Sequence, residues 1–221
     1  MNPSSRVKIC CIASIQEAAV AVRHGASALG LVSKMPSGPG PIEESLIAQI
    51  AATIPPAIGS FLLTSAQSVP QIIQQQRRCG ANTLQIVDRL EVGEYHELRG
   101  ALPGISLVQV IHVTGEESFD EACQIAERGV NALLLDSGNP SLAIKELGGT
   151  GRVHDWSISR RIVTAVKVPV FLAGGLNAGN VAEAIRSVRP FGIDVCSGVR
   201  TKGELDEQKL SAFMTAIASC R

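Results

Sequence analysis

Val170-Phe171-Leu172-Ala173-Gly174-Gly175-Leu176 is a short apolar run closed by two glycines, and a helix-like stretch over 180–188 follows it. The arrangement returns at once: an apolar run at 193–196, the turn Ser197-Gly198-Val199, and a helix-like stretch over 206–218. This pair ends a series. Upstream apolar runs at 7–12, 28–32, 58–63, 83–87, 107–113 and 132–135 are each followed by a helix-like stretch, at 16–24, 43–53, 69–79, 94–101, 119–127 and 157–166. Continuous apolar runs bounded by turn residues fit strands buried on both faces. Strict alternation with helices implies parallel pairing through right-handed crossovers. Gly25, Gly80 and Gly129 stand near helix ends, where left-handed caps belong. Eight such units in 221 residues predict an α/β fold, a single (β/α)8 TIM-barrel domain over 1–221. An open doubly wound sheet is the rival architecture.

Composition narrows the function classes. Hydrophobic residues make up 45% of the chain, enough for a large core. Lys+Arg and Asp+Glu are 20 each, so no net charge points to nucleic acid or an anionic membrane. Aromatics are only 3%, too few for a base-stacking platform. The polar start, Met1 to Arg6, does not read as a secretory signal. The uncharged stretch 45–76 is interrupted by Pro55-Pro56, Gly59 and Pro70 and does not read as a membrane span. The six cysteines show no zinc spacing and no C-x-x-C pair, which suggests reduced thiols in a cytoplasmic protein. No cofactor is expected, and the composition does not reveal an oligomeric state.

Barrel enzymes place their chemistry at the C-terminal ends of the strands. Two reactive side chains fall there: Cys10 at the end of the first apolar run and Asp136 after Leu133-Leu134-Leu135. A thiol and a carboxyl so placed can share an acid–base reaction, although free cysteine is most often inert packing. The glycine turns at Gly174-Gly175 and Ser197-Gly198 follow strands seven and eight, where barrels often bind phosphate through backbone N–H groups. Asn177 and Asn180 are candidate caps for the helix beyond. Neither turn is a nucleotide-binding motif. Parity puts Lys8 and Cys10 on one face of the first strand, so Lys8 is expected to pair with Asp194 inside the barrel. By the same parity, Cys11 is expected to face the surrounding helices. His112, at the end of the fifth strand, is a candidate substrate contact or a satisfied core histidine. His154 reads as loop structure. Two long loops, 33–41 and 137–155, follow strands two and six. They offer Lys34, Ser37 and Gly149 as further substrate-contact candidates.

In order along the chain, Lys8-Ile9-Cys10, Gly25-Ala26 through Leu29-Gly30-Leu31-Val32, Leu133 to Ser137, Gly148-Gly149-Thr150-Gly151 with Asp155-Trp156, Leu172 to Leu176 with Asn180-Val181, and Asp194 to Val199 resemble the phosphoribosylanthranilate isomerase family. That resemblance implies a TIM barrel of tryptophan biosynthesis and an Amadori rearrangement of an N-substituted ribosylamine 5-phosphate. It implies Cys10 as general base, Asp136 as general acid and the two glycine turns as phosphate loops, with no cofactor. The sequence departs from the family pattern at three places. Cys11 stands where the family usually has glycine. The loop Met35-Pro36-Ser37 lacks the usual arginine, leaving Lys34 as the nearest cation. Strand four ends Gln85-Ile86-Val87-Asp88 without the usual His-Gly. The alternatives are an isomerase or lyase that uses the same Cys/Asp pair on another phosphorylated sugar, and a non-catalytic phosphometabolite-binding barrel.

Overall fold

Eight parallel strands close on themselves: β1 (Arg6–Ile9), β2 (Ala28–Val32), β3 (Gly59–Thr64), β4 (Thr83–Ile86), β5 (Ser106–His112), β6 (Ala132–Asp136), β7 (Val170–Leu172) and β8 (Gly192–Val195). Each pairs with the next, and β8 pairs with β1, so the expected barrel is the observed one and the open sheet is not. The computed structural model describes residues 6–91 and 93–220; the reading of the polar N-terminal start therefore falls, Arg6 apart, outside the described residues. One helix follows each strand: α1 (Ile15–Arg23), α2 (Glu44–Thr53), α3 (Val69–Cys79), α4 (Tyr95–Ala101), α5 (Glu117–Glu127), α6 (Trp156–Ala165), α7 (Val181–Val188) and α8 (Glu207–Ala218). A small hairpin, β9 (Arg200–Thr201) with β10 (Glu204–Leu205), separates β8 from α8. None of the described helices is long and apolar enough to cross a membrane.

Local chemistry sets the helix ends. Ser14, Asp155 and Asp206 accept hydrogen bonds from the first free N–H groups of α1, α6 and α8. Gly80 ends α3 at φ 66°, a conformation that strains any residue with a Cβ, and its N–H closes the helix on the Gln76 carbonyl.

Alternation along the strands divides the core into two layers. Ile9, Leu29, Leu31, Leu62, Leu84 and Ile86 face outward and pack under the helices. Ala28, Val32, Phe61, Leu63, Val108, Val110, Leu134 and Phe171 fill the barrel. Near the N-terminal end of the barrel, Phe61, Phe171 and Phe191 stack edge to face at 6.0 and 5.4 Å, with Arg6 lying 4.3 Å over the Phe191 ring.

One ion pair interrupts this apolar filling. Lys8 is fully buried and its Nζ lies 2.8 Å from Asp194 Oδ2, between residues that the β1–β8 register sets directly opposite. The parity argument for this pair holds. Removing one partner of a buried pair leaves an uncompensated charge, at a cost of about 3–5 kcal/mol. Asp194→Asn should therefore lower stability by roughly that amount in denaturant melts. Replacing both partners, Lys8→Met with Asp194→Leu, should recover most of it, because the apolar surroundings then have no charge to accommodate.

Candidate active site

The C-terminal ends of the strands open into a cleft of about 690 Å³. Cys10, the first residue beyond β1, lines it with its own N–H bonded to the Val195 carbonyl at 2.8 Å. Gly30 on β2 creates the space for this thiol. A methyl group at Gly30 would fall 2.8 Å from Cys10 Sγ and 3.1 Å from both Cys10 Cα and Lys8 Nζ. On the other side the buried Arg200 guanidinium holds the Cys10 and Cys11 carbonyls, and Glu17 holds the guanidinium at 2.9 Å. The Cys11 side chain lies beside Cys10, and the Lys8 ammonium lies below. Together these pull the Cys10 thiol below its ordinary range against the opposing effect of burial. Burial disfavours the Lys8 charge, but the Asp194 carboxylate, together with Cys10 and Cys11, outweighs burial and raises the Lys8 ammonium above its ordinary range.

Asp136 ends β6 and faces the same cleft. Burial pushes its carboxyl above the ordinary range, and this outweighs the 2.7 Å hydrogen bond that Oδ1 accepts from the Ser137 N–H. Gly148 lies over the carboxyl, where a Cβ would sit 2.7 Å from Oδ2. The cleft thus carries a thiol biased toward its anion and a carboxyl biased toward its acid.

The two glycine turns meet at one edge of this cleft. Gly174 and Gly175 have φ of 84° and 62°. Gly198 starts from a different constraint: any Cβ there would collide with the Leu176 carbonyl, so its absence lets the two turns pack together. Among the described residues, the N–H groups of Gly174, Gly175, Ser197 and Gly198 donate to no protein acceptor. Four free donors around one concavity can receive an anion's oxygens. Asn180 braces the first turn, accepting from the Asn177 N–H at 2.8 Å and donating to the Gly175 carbonyl at 3.0 Å. Its side chain makes no bond to the N–H groups of α7, which corrects the expected cap.

Ser37 and Gly149 line the cleft as expected, where their loops meet. Ser37 Oγ donates to the Lys145 carbonyl at 2.5 Å, and a Cβ on Gly149 would strike Pro39. The structure corrects two expectations and favours one of the two readings of His112. Lys34 is exposed and does not line the cleft, because Ser33 before it turns inward to the Leu63 carbonyl and alternation carries Lys34 out. His112 also lies outside this cleft; its Nε2 meets the Val87 carbonyl at 2.9 Å, and Gly138 presses against the ring. Cys11 faces the cleft and not the helices, because its φ of 62° breaks strand parity. His154 is loop structure, bonded to Ser159 Oγ at 2.7 Å and lowered to about 4 by burial.

Sequence reasoning gave several groups no role at the cleft. Gln85 Oε1 and Asp194 Oδ1 are buried without a hydrogen-bond partner, and both residues line the cleft. Arg200 carried no signal beyond following the second glycine turn. No cluster of three or more His, Cys, Asp or Glu suited to a metal occurs among the described residues.

The family model for N-(5'-phosphoribosyl)anthranilate (PRA) isomerase matches residues 7–216. The chain is similar to N-(5'-phosphoribosyl)anthranilate isomerase 2 of Methanosarcina mazei, 36% identical over 95% of this chain and 92% of that one. The fold is similar to phosphoribosyl anthranilate isomerase from Thermotoga maritima, with a TM-score of 0.81 at 27% identity over 97% of this chain and 99% of the other. A second solved structure, with a TM-score of 0.78 at 25% identity over 97% and 99%, is a phosphoribosyl anthranilate isomerase in complex with reduced 1-(o-carboxyphenylamino)-1-deoxyribulose 5-phosphate.

The space at Gly30 is directly testable. Gly30→Ala should lower stability by about 1–3 kcal/mol through overpacking. It should also displace Cys10, seen as a changed rate of Cys10 alkylation by iodoacetamide. Unchanged stability and unchanged alkylation would show that the pocket around the thiol is not set by Gly30.

Proposed function

The chain belongs to the N-(5'-phosphoribosyl)anthranilate isomerase family, and from that premise we propose that Cys10 and Asp136 carry out the family's Amadori rearrangement as base and acid. The protein is an isomerase of the tryptophan-biosynthesis type. One observation supports the finer reading above all: a thiol from the end of β1 and a carboxyl from the end of β6 face a single cleft edged by four free backbone donors.

In this reading the 5-phosphate of the ribosylamine sits against Gly174, Gly175, Ser197 and Gly198. Neutral Asp136 protonates the furanose ring oxygen, the C1–O bond breaks, and a Schiff base forms at C1. The Cys10 thiolate then removes the C2 proton, giving an enolamine. Ketonisation moves the C2 hydroxyl proton away and adds a proton at C1, and exchange with water returns Cys10 and Asp136 to their starting states. Each group must begin in the less usual protonation state at neutral pH, a thiolate and a carboxylic acid. The unpartnered oxygens of Gln85 and Asp194 are placed to accept hydrogen bonds from sugar hydroxyls. The aromatic aglycone meets the apolar wall of Val32, Met35, Leu63, Val87 and Leu147.

Complementation of a tryptophan auxotroph that lacks this isomerase tests the assignment. The chain should restore growth, and Cys10→Ala and Asp136→Asn should each abolish it, with kcat reduced by about 10²–10⁴ in vitro. Growth that survives either substitution would overturn the assigned role. The acid limb of the kcat/KM profile should lie below the ordinary thiol range and the alkaline limb above the ordinary carboxylate range.

Stability gives an independent check on Asp136. Its folded-state pKa is raised, so ionisation opposes folding as pH climbs through the unfolded value of about 3.9. Asp136→Asn should therefore be more stable than the parent at neutral pH, with the advantage gone below about pH 4.

A further inference from the structure

Cys11 occupies a position that a residue with a Cβ adopts at a cost. Its φ of 62° lies in the left-handed region, which costs a non-glycine residue about 1–2 kcal/mol. The surroundings also accommodate its side chain: Gly40 in the loop after β2 approaches so closely that a Cβ there would lie 2.6 Å from Cys11 Cβ. The strained backbone turns the Cys11 thiol toward Cys196, at the end of β8, with the two sulfurs 2.9 Å apart. That is about 0.9 Å more than a disulfide bond of roughly 2.04 Å. Ile9 and Val195 pair across β1 and β8, so Cys11 and Cys196 lie two and one residues beyond that pair, at the ends of neighbouring strands. The other thiols are differently placed: Cys79 ends α3, Cys123 lies in α5 and Cys220 follows α8.

We propose that Cys11 and Cys196 form an oxidisable dithiol at the mouth of the barrel, a modification site for small-molecule disulfides such as oxidised glutathione. Cys196 is half-exposed at the cleft and reacts first. Its thiolate, the proton having passed to water, attacks one sulfur of the small disulfide, breaking that S–S bond and expelling one thiolate. Cys11 then loses its proton to water and attacks the Cys196 sulfur of the mixed disulfide, expelling the second thiolate. The two protein thiols are oxidised to one disulfide, and the small disulfide is reduced to two thiols. The new bond lies between Cys10 and the Ser197–Gly198 turn, so it joins the segment carrying the proposed base to the proposed phosphate site.

Mass mapping tests this without reference to turnover. The reduced chain is treated with oxidised glutathione, quenched with acid and digested with trypsin without reduction. The expected product is a cross-link between the peptides 9–23 and 187–200. It should persist in Cys10→Ser, which removes the only other cysteine of the first peptide. It should be absent in Cys11→Gly and Cys196→Ser. Cys11→Gly relieves backbone strain and should fold, and it should accumulate a glutathione adduct on Cys196 instead. Loss of the cross-link in Cys10→Ser would overturn the proposal, because the bond would then belong to Cys10. A folded parent chain that yields only glutathione adducts would also overturn it.

Discussion

The buried pair between Lys8 and Asp194 is the interaction on which the rest of the site depends. It joins the first and last strands at the seam where the barrel closes, so its register is also the closing register of the sheet. It also places one charge of each sign beneath the reactive groups. The Lys8 ammonium draws the Cys10 thiol down, partly offset by Asp194, while the Asp194 carboxylate adds to the burial that pushes Asp136 up, partly offset by Lys8. The net biases run in opposite directions, the separation that the proposed acid and base sharing one cleft require. An apolar pair at these positions would close the barrel as well, but it would remove the field that distinguishes the two groups.

Recognition is built differently from chemistry. The proposed phosphate edge offers backbone N–H groups and no side-chain charge. The opposite wall is apolar, and no Lys, Arg or His lines the cleft among the described residues. The loops after β2 and β6 complete that wall by touching each other. Ser37 binds the Lys145 carbonyl, and Lys145 in turn reaches Asp88 at the end of β4 at 2.6 Å. Asp88 stands where the family pattern has glycine, and it has become an anchor for the loop after β6. The residues that depart from the pattern at β2 and β4 are therefore engaged with one another, and they shape the cleft's mouth without adding a charge to it.

Much of this was legible in the sequence, for reasons that particular residues make clear. The strands were visible because barrel strands are buried on both faces and read as continuous apolar runs. Lys8 and Asp194 could be paired because parity within a strand and adjacency in a closed barrel are both properties of linear order. That Cys10, Asp136 and the glycine turns share one cleft followed because they all stand at strand ends on one face of the barrel. Cys11 was misplaced because parity fails wherever φ changes sign, and no residue type other than glycine advertises that change. Lys34 was misplaced, and His112 was left between two readings, because the path of a loop, or the tilt of one ring toward a neighbouring carbonyl, depends on contacts far away in sequence. Arg200 was invisible for the same reason: its partners Cys10, Cys11 and Glu17 lie more than 180 residues earlier.

The cost of this arrangement is concentrated where the thiols meet. Arg200 fixes the carbonyls of Cys10 and Cys11 from outside the barrel, Gly30 leaves Cys10 its space from within, and Gly40 leaves Cys11 its space from above. Three elements distant in sequence therefore converge on two consecutive residues, one of them in a strained conformation. A glycine at position 11 would remove the strain, but it would also remove the thiol that lies beside Cys10 and touches Cys196. The strain at Cys11 is thus tied to the electrostatics of its neighbour: the side chain that makes the backbone unfavourable also helps to pull the Cys10 thiol below its ordinary range.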